Sequence, residues 1–382
     1  MTIPAQLQAI DQTILDPLVQ QATGRPTAAV VDWSCHPVYA GGGEGIGVYR
    51  FLGNASDAQT VVPWSLILKI LGSPPHAGSV RDWNYWKREV HAYHSGLLQT
   101  LSRGIAVPQC FAISEQSDGR VWLWLEDISQ NPAQSWSLDD YGAVAYQLGA
   151  FNGMYLVQQS LPDAPWLSQN WLRGFVEQNA EAVVQLQQSL DHPWVRRVFP
   201  RPAADALLDT WRTREHYVGT LETLPHTLCH LDATRRNLLL RSRTDGTRAT
   251  VAIDWAYMGH AALGEELVPL IVGSVLFMEL GVQAAQDLEE QVLAQYLAGL
   301  QASGWQGEPR QVRLGYAAAG ALRYGVGTLR LTLPALLDES LHPIVEQIFR
   351  HPIDRLCDCW EMVLNRFTLR LADEALRLRE SI

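Results

Sequence analysis

The sequence predicts an α+β chain in two lobes, a small β-rich N-terminal lobe and a large, mainly helical C-terminal one. Three observations lead there. Strand signals concentrate between residues 28 and 125, helical spacing takes over from Ser137, and a length of 382 residues is enough for two separate cores. The boundary is expected at residue 126, with 1–126 forming the first lobe and 127–382 the second.

Residues 5–22 read as an opening helix. Next, Tyr39 to Leu52 carries a cluster of glycines and then an alternating apolar run, the pattern of a hairpin. Backbone N–H groups at Gly43, Gly45 and Gly47 could face phosphates there. The cluster is not a Walker A loop, because no Gly-Lys-Ser/Thr follows. Nor is it a dinucleotide fingerprint, because a strand rather than a helix comes next.

The strand Trp64 to Leu71 holds Lys69 in its middle. The chain has 29 Lys plus Arg, of which only Lys69 and Lys87 are lysines. A charge inside an apolar strand is expensive unless it is paired. An acidic partner is expected on the next helix, read as Asp82 to Leu98 from the stripe Trp83, Trp86, Val90 and Leu97; Glu89 flanks that stripe. Arg120 to Leu125 alternates as another strand and runs out at Glu126-Asp127-Ile128.

Ser137-Leu138-Asp139-Asp140 has the makings of a capping box. The helix after it, Tyr141 to Leu156, is rich in Gly and Ala, which allows close packing in a helical core. Residues 165–223 continue helical, with breaks at His192-Pro193 and Pro200-Arg201-Pro202. Helices run again from about Glu265 to the end.

Between these helical stretches lies His230-Leu231-Asp232-Ala233-Thr234-Arg235-Arg236-Asn237, an acid followed five positions later by an amide. A hairpin turned at Arg243-Thr244-Asp245-Gly246 then leads to Thr250-Val251-Ala252-Ile253-Asp254-Trp255, a β-branched strand ending in a second acid. Phosphoryl transfer needs this set: one carboxylate for the acceptor hydroxyl, and an amide and a second carboxylate for a metal held against phosphates.

These residues resemble the aminoglycoside phosphotransferase and choline kinase-like family, whose fold is related to protein kinases. The family carries H-[GNL]-D-x-x-x-x-N and then I-D-W, seen here as His230-Leu231-Asp232 to Asn237 and Ile253-Asp254-Trp255. Leu231 stands where Gly is usual, and Glu266 in Gly259 to Leu267 where Asp is usual. The resemblance spans about residues 40–270 and implies a protein kinase-like fold. It implies Asp232 as the catalytic carboxylate, His230 as the loop brace, and Asn237 and Asp254 as ligands of Mg²⁺. It further implies that Lys69 contacts the phosphates, that Glu89 positions Lys69, and that Glu126 and Ile128 belong to the hinge that meets the base of ATP or GTP. The acceptor is then a small hydroxyl compound, and the helical tail shapes its site. A second reading stays open: a kinase-fold protein that holds nucleotide, or regulates, without turnover.

Net charge of −11 excludes nucleic acid as the expected partner, because its phosphates would be repelled. Five cysteines at unpatterned spacing predict reduced thiols, and with no basic n-region at the start the expected compartment is the cytoplasm. No apolar stretch is long enough to predict a membrane span. His91 and His94 read as helix surface rather than a metal pair, and so do the acids Glu265, Glu266, Glu279, Asp287, Glu289 and Glu290, although these could attract a cationic acceptor.

Overall fold

A computed structural model describes residues 5–39, 46–57, 60–101, 104–128, 135–242, 246 and 248–380. The glycine segment through Gly45, including Gly43, lies outside the described residues, as do Asn131-Pro132 and residues 243–245 of the expected hairpin turn.

Strands β1 (Ala29–Tyr39), β2 (Ile46–Ser56) and β3 (Val61–Leu71) form the first part of an antiparallel sheet. A short β4 (Ile105–Ala106) leaves it, and β5 (Cys110–Glu115) and β6 (Val121–Glu126) return, giving the order β1-β2-β3-β6-β5. Successive side chains in a strand point to opposite faces. Leu66, Leu68, Ile70, Trp122 and Trp124 therefore face one way, onto helix α1 (Gln12–Thr23) through Leu15, Leu18 and Val19. Leu71, Leu123 and Leu125 face the other way and join the large core of the helical part. Lys69 shares that second face. It sits on the central strand of the five, so the arrangement it needs is a buried pair and not an exposed edge.

The opening helix is interrupted. One helical turn, Ala5–Gln8, precedes α1, which starts where Asp11 accepts a bond from the Thr13 N–H. The helix expected from Asp82 is also shorter. Helix α2 is only Arg88–His94, because residues 82–87 form turns. Those turns are held by Arg88, whose buried guanidinium donates to four carbonyls: Asp82, Trp83, Trp166 and Ala256. Its apolar neighbours at 83 and 86 mimic a helical stripe, but tertiary hydrogen bonds claim the backbone instead.

Helix α3 (Leu138–Val157) begins with the expected capping box, Ser137 and Asp140 bonding reciprocally. Its small residues admit helix α4 (Ala285–Ala302) at backbone distance. A Cβ on Gly149 would stand 2.1 Å from the Tyr296 carbonyl oxygen, and one on Gly299 of α4 would stand 2.1 Å from the Tyr146 carbonyl oxygen. Beside this contact, the buried Asn152 amide donates to the Leu228 carbonyl at 2.8 Å and accepts from the Tyr296 hydroxyl at 2.7 Å. The close packing thus grips β7 (His226–Cys229), the strand that leads into the His230 loop. Strands β8 (Leu238–Ser242) and β9 (Arg248–Ala252) pair antiparallel, β9 runs parallel to β4, and β10 (Gly259–Ala262) pairs β7. Helix α5 (Pro309–Gly320) runs on into a π-helical segment, Ala321–Val326.

All five cysteines are free thiols. Among the described residues no helix is long and apolar enough to cross a membrane.

Gly149→Ala should destabilise the chain. The helix gains about 1 kcal/mol of propensity, but two backbones in contact must separate, at about 1–3 kcal/mol or more. A urea midpoint unchanged or raised in the variant would mean that the two helices are not locked at this point.

Candidate active site

The strand register brings the first elements together. Val48 pairs with Lys69 and Gly47 with Ile70, so the end of the glycine segment lies beside the lysine. The Lys69 ammonium lies 2.5 Å from Glu89 Oε2 and 2.8 Å from Asp254 Oδ1. Burial works against the charged lysine, but the carboxylates of Asp254 and Glu89 outweigh it and hold its pKa above the ordinary value. Burial likewise opposes ionisation of Asp254, and Lys69 reverses this, leaving its pKa below the usual carboxylate range. Glu89 is buried rather than a solvated helix charge, and its Oε1 accepts from the Trp255 N–H at 3.3 Å. Sheet, α2 and the segment after β9 thus meet at one ammonium.

The His230–Asn237 loop is braced from several sides. His230 Nε2 donates to the Ile253 carbonyl at 2.8 Å, and its Nδ1 accepts from the Asp232 N–H at 3.1 Å. Those two bonds assign one tautomer, with the proton on Nε2. Glu266 places its carboxylate under the loop, accepting from the His230 N–H at 2.8 Å and the Leu231 N–H at 3.2 Å. The residue that departs from the usual Asp therefore does backbone work. Leu231 and Asp254 both have positive φ, 65° and 63°. Asp tolerates that region, whereas a buried Leu is strained there. The Glu266 and His230 bonds hold it in place.

Asp232 is engaged at both oxygens. Asn237 Nδ2 donates to Oδ2 at 2.8 Å and to the Asp232 carbonyl at 3.0 Å. Arg323 Nη2 donates to Oδ1 at 2.8 Å, and its Nη1 donates to the Leu231 carbonyl. Burial pushes the Asp232 carboxyl up, against the pull of Arg323. Its side chain keeps 26% exposure, so it remains reachable from solvent. Asp254 is more open still, at 42%.

The hinge candidates sit at the sheet's edge of the cleft. Glu126 accepts from Arg241 at 2.6 Å and from the Gln109 N–H at 3.2 Å, and Ile128 is half-buried two residues beyond. Asp127 between them is tied to Arg50 at 2.8 Å and to Ser65.

Several expectations need correcting. Glu265, Glu266 and Glu289 are buried, not surface acids. Glu266 braces the loop, Glu289 pairs with Arg313 and Arg370, and Glu279 pairs with Arg236. Asp287 and Glu290 are exposed, as expected. His91 is half-buried, bonded to the Tyr85 hydroxyl at 3.0 Å and stacked toward Trp166, while His94 is exposed. Arg323 was visible in sequence only as a break in an apolar stretch. The clue that singled out Lys69, one charge inside an apolar run, applied to it equally.

Glu265 is a buried carboxyl with no hydrogen-bond partner on Oε1. Burial pushes it up to about 7, partly offset by Arg323. The unfolded chain releases this proton near pH 4.3, the folded chain near 7. Stability from this group therefore falls as pH rises across that window and levels off above it. Glu265→Gln should be nearly neutral at pH 5 and stabilising at pH 8, by on the order of a few kcal/mol. Denaturation curves giving the same difference at both pH values would show that Glu265 is not a buried, late-ionising acid.

The sequence model for the phosphotransferase enzyme family matches residues 59–310. No curated protein shows significant similarity to the chain. Among solved structures, a choline kinase from Cryptosporidium parvum Iowa II is similar with a TM-score of 0.54 at 10% identity, over 91% of this chain and 92% of that one. An amicoumacin kinase in complex with AMP-PNP, Ca²⁺ and Ami is similar with a TM-score of 0.52 at 13% identity, over 96% and 97%. At such identities the likeness concerns the fold, which is kinase-like in both.

Proposed function

As the chain belongs to the phosphotransferase enzyme family, we propose that it transfers the terminal phosphate of ATP or GTP to a hydroxyl of a small molecule. One observation carries this reading. Two acids and an amide from the loop and strand, a strand lysine and a helix glutamate, far apart in sequence, are gathered into two clusters, Lys69–Glu89–Asp254 and Asp232–Asn237, tied together by the His230–Ile253 bond. No stability argument requires a reachable Asp232 beside a reachable Asp254.

In this reading Asp232 accepts the proton of the acceptor hydroxyl as its oxygen attacks the terminal phosphorus and the bond to the diphosphate oxygen breaks. Lys69, released from Asp254 when phosphates arrive, contacts them while Glu89 keeps its ammonium in place. The backbone at Gly47 covers the phosphates, and Glu126 and Ile128 lie along the base. His230 fixes the loop through its two backbone bonds.

The donor set suits a divalent cation that arrives with the nucleotide. Among the described residues no cluster of three or more His, Cys, Asp or Glu would hold a metal alone. Asn237 uses its amide nitrogen on Asp232, which leaves its amide oxygen free to ligate, and its backbone carbonyl accepts from the N–H of Ile253, the residue before Asp254. One amide oxygen and one carboxylate, completed by phosphate oxygens and water, is the pattern Mg²⁺ prefers. Bound there, the metal would neutralise charge on the phosphoryl oxygens. The similar amicoumacin kinase was solved with a nucleotide analogue and Ca²⁺, in keeping with this reading.

Asp254→Ala should abolish the stabilisation that MgATP gives in a thermal-shift assay, from a lower starting Tm because Lys69 loses one of its two carboxylates. A variant that still responds like the wild type has its metal elsewhere. Asp232→Asn keeps the size of the side chain and should retain nucleotide binding, but kcat should fall on the order of 10²- to 10⁴-fold. If the variant instead loses stability and keeps its rate per folded molecule, Asp232 is a turn former and the reading fails.

A further inference from the structure

We propose that Arg323 is a resident cation filling the seat beside Asp232, and that the acceptor is therefore a hydroxyl compound with no cationic group at its reacting end. The inference rests on the reading of Asp232 as the carboxylate that meets the acceptor. Arg323 itself lies in the helical tail, beyond residue 310 where the family match ends.

The seat is built from an aromatic face and a carboxylate. The Arg323 guanidinium stands 4.5 Å over the Trp171 ring and 5.6 Å from that of Tyr324. Trp171 is stacked on Phe175 at 4.8 Å, and Tyr257 lies tilted against it at 5.2 Å. The guanidinium's outer edge is bonded to Asp232 Oδ1 and the Leu231 carbonyl. A π-face closed by a carboxylate is the chemistry that recognises guanidinium and alkylammonium groups. Here the chain supplies that group itself. The Arg323 side chain is only 7% exposed, so it is packed into the seat and does not hang over it. It sits in a π-helical segment, Ala321–Val326, a conformation frequent at functional sites.

The acids tell the same story. Of the six tail acids that could attract a cation, Glu266 is spent on the loop backbone, Glu279 on Arg236 and Glu289 on Arg313 and Arg370, which leaves Asp287 and Glu290 exposed on α4. Glu265 is buried, and the Arg323 charge acts on it, lowering a pKa that burial raises. An incoming ammonium would meet a like charge in a partly buried site, where salt screens little. An uncharged or anionic acceptor would meet N–H donors there instead.

The test uses the full chain and needs no known acceptor. Thermal unfolding is followed with millimolar methylguanidinium or tetramethylammonium chloride, against equal sodium chloride. Arg323→Met should gain saturable stabilisation, with binding roughly tenfold tighter than to the wild type. Arg323→Lys keeps a cation in the seat and should gain none, and adding Asp232→Asn to Arg323→Met should remove the gain. No gain in a folded Arg323→Met overturns the proposal. A second measurement on the wild type covers the case in which that variant does not fold. Calorimetry in the presence of magnesium and AMP-PNP compares amino alcohols and aminoglycosides with uncharged polyols. Absence of cation binding is the expected result, and saturable, Asp232-dependent binding of a cationic hydroxyl compound overturns the proposal. Loss of nucleotide response in Asp254→Ala reports on the phosphotransferase reading separately, so either idea can fail alone.

Discussion

The buried ammonium of Lys69 is the constraint on which the cleft depends. An isolated charge at that depth is not tolerated, so two carboxylates from other parts of the chain must come to it. Glu89 arrives on a helix of two turns, and Asp254 at the end of a strand. Because Lys69 is on the middle strand, the demand cannot be met by rotating the side chain into water. The sheet, the short helix and the β8–β9 hairpin are therefore held in one register by electrostatics. Arg88, next to Glu89 in sequence, secures the same helix through four carbonyls, one of them at Ala256 just past Asp254. Neighbouring residues of opposite charge thus fasten one helix to the same segment twice.

The loop that presents Asp232 is held differently, by groups behind it. Glu266 satisfies two loop N–H groups, His230 ties the loop to Ile253, and Arg323 takes the Leu231 carbonyl and one oxygen of Asp232. Leu231 can sit at a positive φ because its carbonyl and N–H are both claimed. The substitutions that look like departures from the family pattern, Leu231 and Glu266, form one device. The longer Glu carboxylate reaches the backbone, and the strained residue is the one it holds.

The helical tail does more than complete the core. Through Arg323 it places a positive charge against the Asp232 carboxylate, and that charge packs against the Trp171 ring from a helix ahead of the loop and against Tyr324 of the tail itself. Two regions about ninety residues apart in sequence are thereby joined at one carboxylate by the Asp232–Arg323 pair.

Much of the architecture was legible in the residues alone. Apolar residues in Trp64–Leu71 and Arg120–Leu125 marked strands because alternate side chains are buried against α1 and in the helical core, and the glycines of α3 marked close packing because only a missing Cβ admits another backbone. A lone lysine in an apolar run announced a pair, since burial without one is too costly. What composition could not reveal was everything decided by contacts across the chain. The stripe at 83 and 86 looked helical, yet Arg88 bonds drew that backbone into turns. Glu265, Glu266 and Glu289 carried surface letters and were buried, because their partners, or the lack of one, come from distant elements. Arg323 reads locally as an interruption of an apolar helix. Only the folded chain brings it to Asp232, because a charge–charge contact over that sequence distance leaves no periodic trace for a sequence to display.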